Sequence, residues 1–192
     1  MKKLIALLLV LTMAMGLVAC GNNGEGEGTT TGEAVAVPES ALEILETVWG
    51  SYAEDEKFFA MGGDYTNPVD NAPGNYSLED AEAVTAALLV PADQIANIDE
   101  AASLMHAMMA NNFTCGVFHV TGDATAFADV MYNAISTNPW MCGMPEKMII
   151  AVIGGEYVLA SFGINDAMGN FETKLTAAYP DAELKYNEDI TG

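Results

Sequence analysis

The sequence contains no arginine, and its 6 basic residues, all lysines, face 27 aspartates and glutamates. A net charge of −21 would repel a phosphate backbone, which excludes nucleic acid as a partner. The chain also lacks the H-E-x-x-H, G-x-S-x-G, P-loop and dinucleotide-binding motifs of common enzyme classes. We therefore expect a protein that is not an enzyme and uses no cofactor. Because 51% of its residues are hydrophobic, it is also not an acidic disordered tail.

The first 21 residues have the pattern of a secretion signal. Two lysines precede an apolar run over residues 4–15, which is too short to span a bilayer as a permanent helix. The run leads into a Leu-Val-Ala-Cys-Gly segment whose cysteine is Cys20. This segment resembles the lipobox of bacterial lipoproteins. The resemblance implies that residues 1–19 are removed and that Cys20 receives a diacylglyceryl group carrying acyl chains such as palmitate.

An anchor of this kind fits the segment that follows it. Two acyl chains hold a domain at a membrane without a spanning helix. Residues 21–37 are rich in glycine, threonine and glutamate, and a flexible tether of this length reaches about 20–25 Å. Removal of residues 1–19 would leave 4 lysines against 27 acidic residues. We expect one domain, residues 38–192, standing off the extracytoplasmic face of the cell membrane.

Strand and helix patterns alternate in the second half of the domain. The succession β-α-β-β-α-β predicts an α+β fold with a ferredoxin-like, split βαββαβ core over residues 113–187. Right-handed crossovers would give the strand order 4-1-3-2, with both helices on one face. The predicted strands are 113–120, 148–153, 157–162 and 183–186, and the predicted helices are 124–136 and 165–178.

Residues 38–112 have the pattern of an N-terminal helical extension. Helical spacing predicts a first helix after Ser40, and a capping pattern over residues 77–80 predicts a second. A short strand over residues 57–61 and a turn-rich loop over residues 64–75 lie between them. The third helix is predicted to begin at Asp99, and its shared apolar side would hold Ile98, Ala101, Leu104, Met105 and Met108.

The domain is similar to uncharacterised small surface lipoproteins of Gram-positive anaerobes, which pair a lipobox with a compact α+β domain. Residues 113–120 and 148–162 carry this likeness. The resemblance implies no activity, and it leaves the ligand or protein partner open.

With Cys20 acylated, Cys115 and Cys142 form an even pair in an oxidising compartment. In the predicted core both lie near the same end of the sheet, about two strand spacings or roughly 10 Å apart. The loop that carries Cys142 could bring it within the roughly 7 Å that a disulfide allows. Two buried free thiols are the alternative.

Sulfur and imidazole donors form two groups that could bind a soft metal such as Cu(I). Methionine is also a common core filler, so packing is the alternative. The first group is Met105, His106, Met108 and Met109 on the predicted third helix, and the second is Met141, Cys142 and Met144 in a loop.

Oxygen donors cluster in the loop over residues 64–75, where they could bind a hard cation such as Ca²⁺. The loop lacks the glutamate that an EF-hand requires at its twelfth position, and turn capping explains the same residues without a metal. The donors are Asp64, Asn67, Asp70, Asn71 and Asn75.

Three further positions bear on a binding or catalytic role. Trp140, in a loop, is the best candidate for a ligand contact, and its alternative role is to plug the end of the core. His119 alternates away from its apolar neighbours, which predicts exposure or a polar partner. Asp166 could pair with Glu156 or Tyr157, but no nucleophile stands beside a recognisable base.

The sequence thus favours a membrane-anchored surface lipoprotein with a non-enzymatic binding or interaction domain. An envelope lipoprotein that handles a soft metal is the first alternative, and a hydrolase is the second. The acidic surplus favours cationic ligands in either of the first two cases.

Replacing Cys20 with serine is expected to abolish acylation, because the acceptor thiol is lost, and to release the chain from the membrane. Mass spectrometry and fractionation into membrane and medium measure both effects. Cys142→Ser is the matched control and should stay acylated and membrane-bound. Retention of the Cys20→Ser chain in the membrane would contradict the lipobox assignment.

Overall fold

An eight-stranded antiparallel sheet forms the middle layer of the domain in the computed structural model, which describes residues 38–191. Residues 1–37, with the predicted signal, Cys20 and the linker, lie outside the described residues, as does Gly192. The strands are β1 (Ala60–Gly63), β2 (Pro68–Asp70), β3 (Gly74–Asn75), β4 (Ile98–His106), β5 (Phe113–Val120), β6 (Lys147–Ile153), β7 (Tyr157–Gly163) and β8 (Glu183–Asp189). The helices are α1 (Ala41–Gly50), α2 (Ala81–Leu88), α3 (Ala124–Ser136) and α4 (Asn165–Ala178).

The strand order is β2-β1-β4-β5-β7-β6-β8, and β3 pairs with β4 beside this path. The α+β class and the predicted succession of elements from β5 to β8 are confirmed. The predicted order 4-1-3-2 is wrong, because these four strands lie in the order β5-β7-β6-β8. β8 pairs with β6, and β4 occupies the place beside β5 that the ferredoxin-like arrangement gives to the last strand.

This change of order explains where the helices lie. The connections β5-α3-β6 and β7-α4-β8 step across the sheet in the same direction, but they start from antiparallel strands. Right-handed crossovers therefore place their helices on opposite faces. Accordingly, α3 packs with α2 on one face, and α4 packs with α1 on the other. The prediction that α3 and α4 share a face is wrong.

The segment predicted as a third helix is the central strand β4. Ala102 and Leu104 face α1 and α4, whereas Ala101 belongs to the core under α2 and α3. A strand that is buried on both faces is apolar throughout, so its spacing also fits a helix. Residues 38–112 are therefore not a helical extension, because they add four strands to the same sheet.

Side-chain caps fix three of the four helix starts. Ser40 Oγ accepts the N–H of Glu43 at 3.0 Å, and Asp123 Oδ1 accepts that of Ala126 at 3.0 Å. α2 is capped by Asp80 and not by Ser77. No helix within residues 38–191 combines the length and apolarity needed to cross a bilayer.

Two glycines in the second half of the domain have opposite surroundings, and their alanine variants are expected to shift stability in opposite directions. A Cβ on Gly163 would lie 2.4 Å from the carbonyl oxygen of Asn112, so Gly163→Ala should destabilise the domain by about 1–3 kcal/mol. A Cβ on Gly169, inside α4, meets nothing within 4 Å, so Gly169→Ala should stabilise it by up to about 1 kcal/mol. Urea unfolding of both variants measures this, and equal shifts would contradict the packing described here.

Candidate functional site

A cavity of about 280 Å³ opens on the α1/α4 side of the sheet, where β4 and β7 end and α4 begins. Its volume lies just below the roughly 300–1,000 Å³ typical of small-molecule sites. We name it the Tyr52 pocket. It is lined by Tyr52, Glu56, Phe58, His106, Asn112, Ile164, Asp166, Ala167 and Asn170.

Aromatic rings form one wall of the Tyr52 pocket. Phe58 stacks on His106, with ring centroids 5.6 Å apart and planes 13° from parallel. The same ring packs against Trp49 and Phe113, at centroid distances of 5.1 and 5.0 Å. Such aromatic pairs contribute about 0.5–1.5 kcal/mol each beyond the area they bury, so this wall is pre-formed.

His106 is held in one tautomer. Its Nδ1 accepts the backbone N–H groups of Met108 and Met109, at 3.2 and 3.3 Å. In the neutral ring the hydrogen therefore lies on Nε2, which is the nitrogen left for a ligand. His106 thus offers the pocket a hydrogen-bond donor.

The hydroxyl of Tyr52 is the unusual feature of the pocket. Tyr52 is only 5% exposed, and its hydroxyl has no hydrogen-bond partner within residues 38–191. A buried polar group left unpaired costs about 1–3 kcal/mol. Burial raises the pKa of Tyr52, and the neighbouring Cys115 and Glu56 raise it further, so the hydroxyl stays neutral. The hydroxyl oxygen itself is closed off from the open cavity, which other atoms of Tyr52 line.

The charged groups at the rim of the pocket are carboxylates. Lys174 Nζ lies 2.7 Å from Glu56 Oε2, and this hydrogen bond, with one from the backbone of Ala53, lowers the pKa of Glu56. Asp166 takes part in none of the ion pairs found among the described residues. Asp166 lies in the first turn of α4, where the helix dipole stabilises a carboxylate. No side-chain cation among the described residues is paired with it, so the pocket favours a cation as ligand.

A second cavity, of about 500 Å³, contains Trp140. Trp140 is half-buried against Phe162, with ring centroids 4.9 Å apart, so it packs on the α2/α3 core. Its Nε1 and the Oγ1 of Thr85, in the same cavity, are both buried without a partner in the described part of the chain. The cavity lining carries no charged side chain, so Trp140 stays a prediction as a ligand contact.

Cys115 and Cys142 are both free in the structure, so the possible disulfide between them is absent. Cys115 is completely buried in the core under α1 and α4, where burial raises the pKa of its thiol well above the usual range. Cys142 is exposed in the loop that follows α3, which packs on the opposite face of the sheet. The loop that carries Cys142 was predicted to come within disulfide distance of Cys115, but it does not reach across the sheet to it.

The predicted soft-metal donors fall into separate places. Met105 lies in a cavity with Tyr65 and Tyr76, on the far side of the sheet from His106 in the Tyr52 pocket. Met141 lines the cavity that contains Trp140, and neither Met105 nor His106 belongs to its lining. The exposed Met108 and Met109 instead lie in the turn between β4 and β5.

The oxygen-rich loop is organised by one buried carboxylate. Asp64 accepts the backbone N–H groups of Thr66, Asn67 and Ser77, at 2.7, 2.8 and 3.2 Å. A side-chain hydrogen bond from Thr66, together with these backbone bonds, lowers the pKa of Asp64 to about 2. Turn capping thus accounts for the loop. Within residues 38–191 no group of three His, Cys, Asp or Glu side chains could hold a metal ion.

The suggested catalytic pairs do not form. Glu156 and Tyr157 stand at the start of the seven-residue strand β7, and Asp166 follows its end. These groups are therefore about 20 Å or more apart, so neither pair is possible. Within the described residues no serine or cysteine side chain hydrogen-bonds to either histidine.

His119 lies at the opposite end of the sheet from the Tyr52 pocket. It has polar partners, as the alternation of side chains along β5 predicts. Its Nδ1 is 2.5 Å from Asp99 Oδ1, and its Nε2 is 3.8 Å from Glu156 Oε2. The hydrogen bond to Asp99 raises the pKa of His119, and the charges of Asp99, Glu156 and Glu100 add to this effect.

The raised pKa of His119 predicts a pH-dependent stability. The stabilisation is complete below about pH 6.5, the ordinary histidine pKa, and is lost as pH rises through the higher folded-state pKa. Unfolding in urea at several pH values should show this loss in the natural chain and not in His119→Gln. The pKa of His119 can be read directly by NMR, and Asp99→Asn should lower it. A folded-state pKa at or below 6.5 would contradict the ion pair.

No family model matches the chain, and no curated protein or solved structure is significantly similar to it. The Tyr52 pocket combines a pre-formed aromatic wall with a carboxylate that has no paired cation among the described residues.

Proposed function

We propose that the chain is a lipoprotein, acylated at Cys20, whose extracytoplasmic domain binds a small organic ammonium ion in the Tyr52 pocket without catalysing a reaction. The carboxylate of Asp166 is the observation that carries this proposal, because it lines the pocket beside the rings of Tyr52 and Phe58 and joins none of the ion pairs among residues 38–191.

The charges around the pocket favour a cation over an anion. Asp166 and Glu56 are the charged groups in its lining, and Lys174 is already paired with Glu56. An anionic ligand would meet Asp166 and find no uncommitted positive side chain. An ammonium group could donate to the Asp166 carboxylate.

The remaining lining favours a ligand with a short apolar body. Phe58 and Tyr52 present ring surface, which attracts both apolar groups and organic cations. Ile164 and Ala167 close the opposite side from the start of α4. A single ring or a short alkyl chain attached to an amine suits a cavity of about 280 Å³.

A lipid anchor would place such a pocket close to the membrane surface. The predicted tether would hold the domain within about 20–25 Å of the membrane, where it could capture cationic solutes before they reach the cell surface. The strongly acidic domain would attract these solutes from a distance. No residue pair favours the hydrolase alternative, so a binding role is the simpler proposal.

Benzylammonium is the probe for this proposal, with benzyl alcohol and benzoate as uncharged and anionic analogues of similar shape. We expect the domain to bind benzylammonium in preference to both, measured by calorimetry and by ligand-detected NMR. Asp166→Asn should weaken the binding about tenfold, the effect of losing one charge-assisted hydrogen bond. Asp181→Asn, an exposed carboxylate beyond the end of α4, is the matched control and should change nothing.

Tyr52→Phe tests whether the buried hydroxyl takes part in binding or in folding. Removing the unpaired hydroxyl should leave the domain as stable as before, or more stable, and should leave benzylammonium binding unchanged, because the hydroxyl is closed off from the cavity. Loss of stability in Tyr52→Phe would show that the hydroxyl is needed for folding. Equal binding of benzylammonium and benzyl alcohol would overturn the cationic ligand class.

A further inference from the structure

Two loops at the pocket end of the sheet are fastened to each other. One is the turn over residues 107–112, between β4 and β5, and the other is the loop over residues 137–146, between α3 and β6. Asn111 Nδ2 donates to the carbonyl oxygens of both Met141 and Gly143, at 2.9 and 2.7 Å. These two hydrogen bonds hold the loops side by side.

The joined loops expose an unusual amount of sulfur. Met108, Met109, Met141 and Met144 are 74%, 44%, 77% and 41% exposed, and Cys142 is exposed beside them. Methionine is normally among the more buried residue types, as Met131, Met148 and Met168 are in this domain. Core packing therefore explains the buried methionines and leaves the exposed ones unexplained.

The Met109 side chain of the first loop lies close to the backbone of the second loop at Gly143. Gly143 has a φ of +110°, and a Cβ built on it would lie 3.7 Å from the terminal methyl carbon of Met109. The Met109 thioether therefore lies over a turn whose flanking residues are Cys142 and Met144. Sulfur-bearing residues of both loops are thus placed at one turn.

We propose that this cluster binds one soft monovalent cation, Cu(I), through the thioethers of Met109 and Met144 and the thiolate of Cys142. Thioether and thiolate sulfur are the donors that Cu(I) prefers. Binding replaces the proton of the Cys142 thiol with the metal, and that proton passes to solvent. The metal arrives as Cu(I) and leaves as Cu(I), so the site needs no electron donor.

The geometry also selects among the sulfur and imidazole donors. Met105 faces the other side of the sheet, and His106 Nδ1 already accepts two backbone N–H groups. Of the two exposed methionines in the first loop, Met109 is the one that lies at Gly143, so it is the donor that the first loop supplies. This site is separate from the Tyr52 pocket, and its proposal does not depend on the ammonium ligand.

The test uses the full chain with Cys20→Ser in every variant, so that one accessible thiol is left. Cu(I) is titrated against a chromophoric Cu(I) chelator, and Ag(I) serves as a probe without redox chemistry. We expect one metal per chain, with affinity reduced roughly tenfold or more in each of Met109→Leu, Met144→Leu and Cys142→Ser. Leucine keeps the apolar volume and removes only the sulfur.

Two variants keep every proposed donor. Met105→Leu removes a thioether on the other side of the sheet, and its affinity should be unchanged. Asn111→Ala frees the two loops from each other, and its affinity should fall about tenfold, as for loss of an outer-shell contact. In ¹³C-methyl spectra, Ag(I) should shift the methyl signals of Met109 and Met144 and leave those of the buried methionines in place.

The proposal is overturned if Met109→Leu and Met144→Leu bind Cu(I) as well as Met105→Leu does. It is also overturned if Cys142→Ser alone lowers the affinity, because the metal would then bind a single thiol and not a cluster. The proposal is likewise overturned if the chain that carries only Cys20→Ser does not remove Cu(I) from the chelator.

Discussion

The antiparallel pairing of β4 with β5 determines the architecture of this domain. The pairing extends from the Ile98–Val120 pair to the Met105–Thr114 pair. It supplies backbone hydrogen bonds to the edge of β5 that faces away from β7. The last strand, β8, must then add to the free edge of β6, which sends its crossover helix α4 to the face opposite α3. Both faces of the sheet are covered as a result, and β5, β6 and β7 are buried along nearly their whole length.

The same pairing builds the end of the sheet where the two proposed sites lie. The turn from β4 to β5 begins at His106, and its backbone N–H groups at Met108 and Met109 bond back to the His106 ring. These bonds orient the imidazole in the Tyr52 pocket and set the direction in which Met109 leaves the turn. At the far end of the turn, Asn111 fastens the loop that carries Cys142. One short turn therefore positions groups in both proposed sites.

Local signals predicted most of the elements, and long-range pairing decided the rest. α3 and α4 begin and end where helical spacing predicts, and Asp123 provides the start signal for α3. β4 could not be recognised, since Ala101, Leu104 and Met105 fit a helix as well as a strand and only the neighbouring strands select between them. That one error produced the wrong strand order and placed Met105 and His106 together on one helix. The unpaired hydroxyl of Tyr52 has no sequence signal, because spacing identifies a buried tyrosine but not whether its hydroxyl finds a partner.

The distribution of charge favours cations as ligands of this surface. Each of the four lysines in residues 38–191 lies within 3.1 Å of a glutamate, so the positive groups of the described chain are already engaged. Most of the aspartates and glutamates have no such partner, and their field extends over roughly a Debye length of 8–10 Å at physiological salt. An anion approaching either site would meet this field without an uncommitted cation to receive it. An ammonium ion or Cu(I) would be drawn in by it, and the shape of each site, aromatic wall or sulfur-bearing turn, then decides which of the two stays bound.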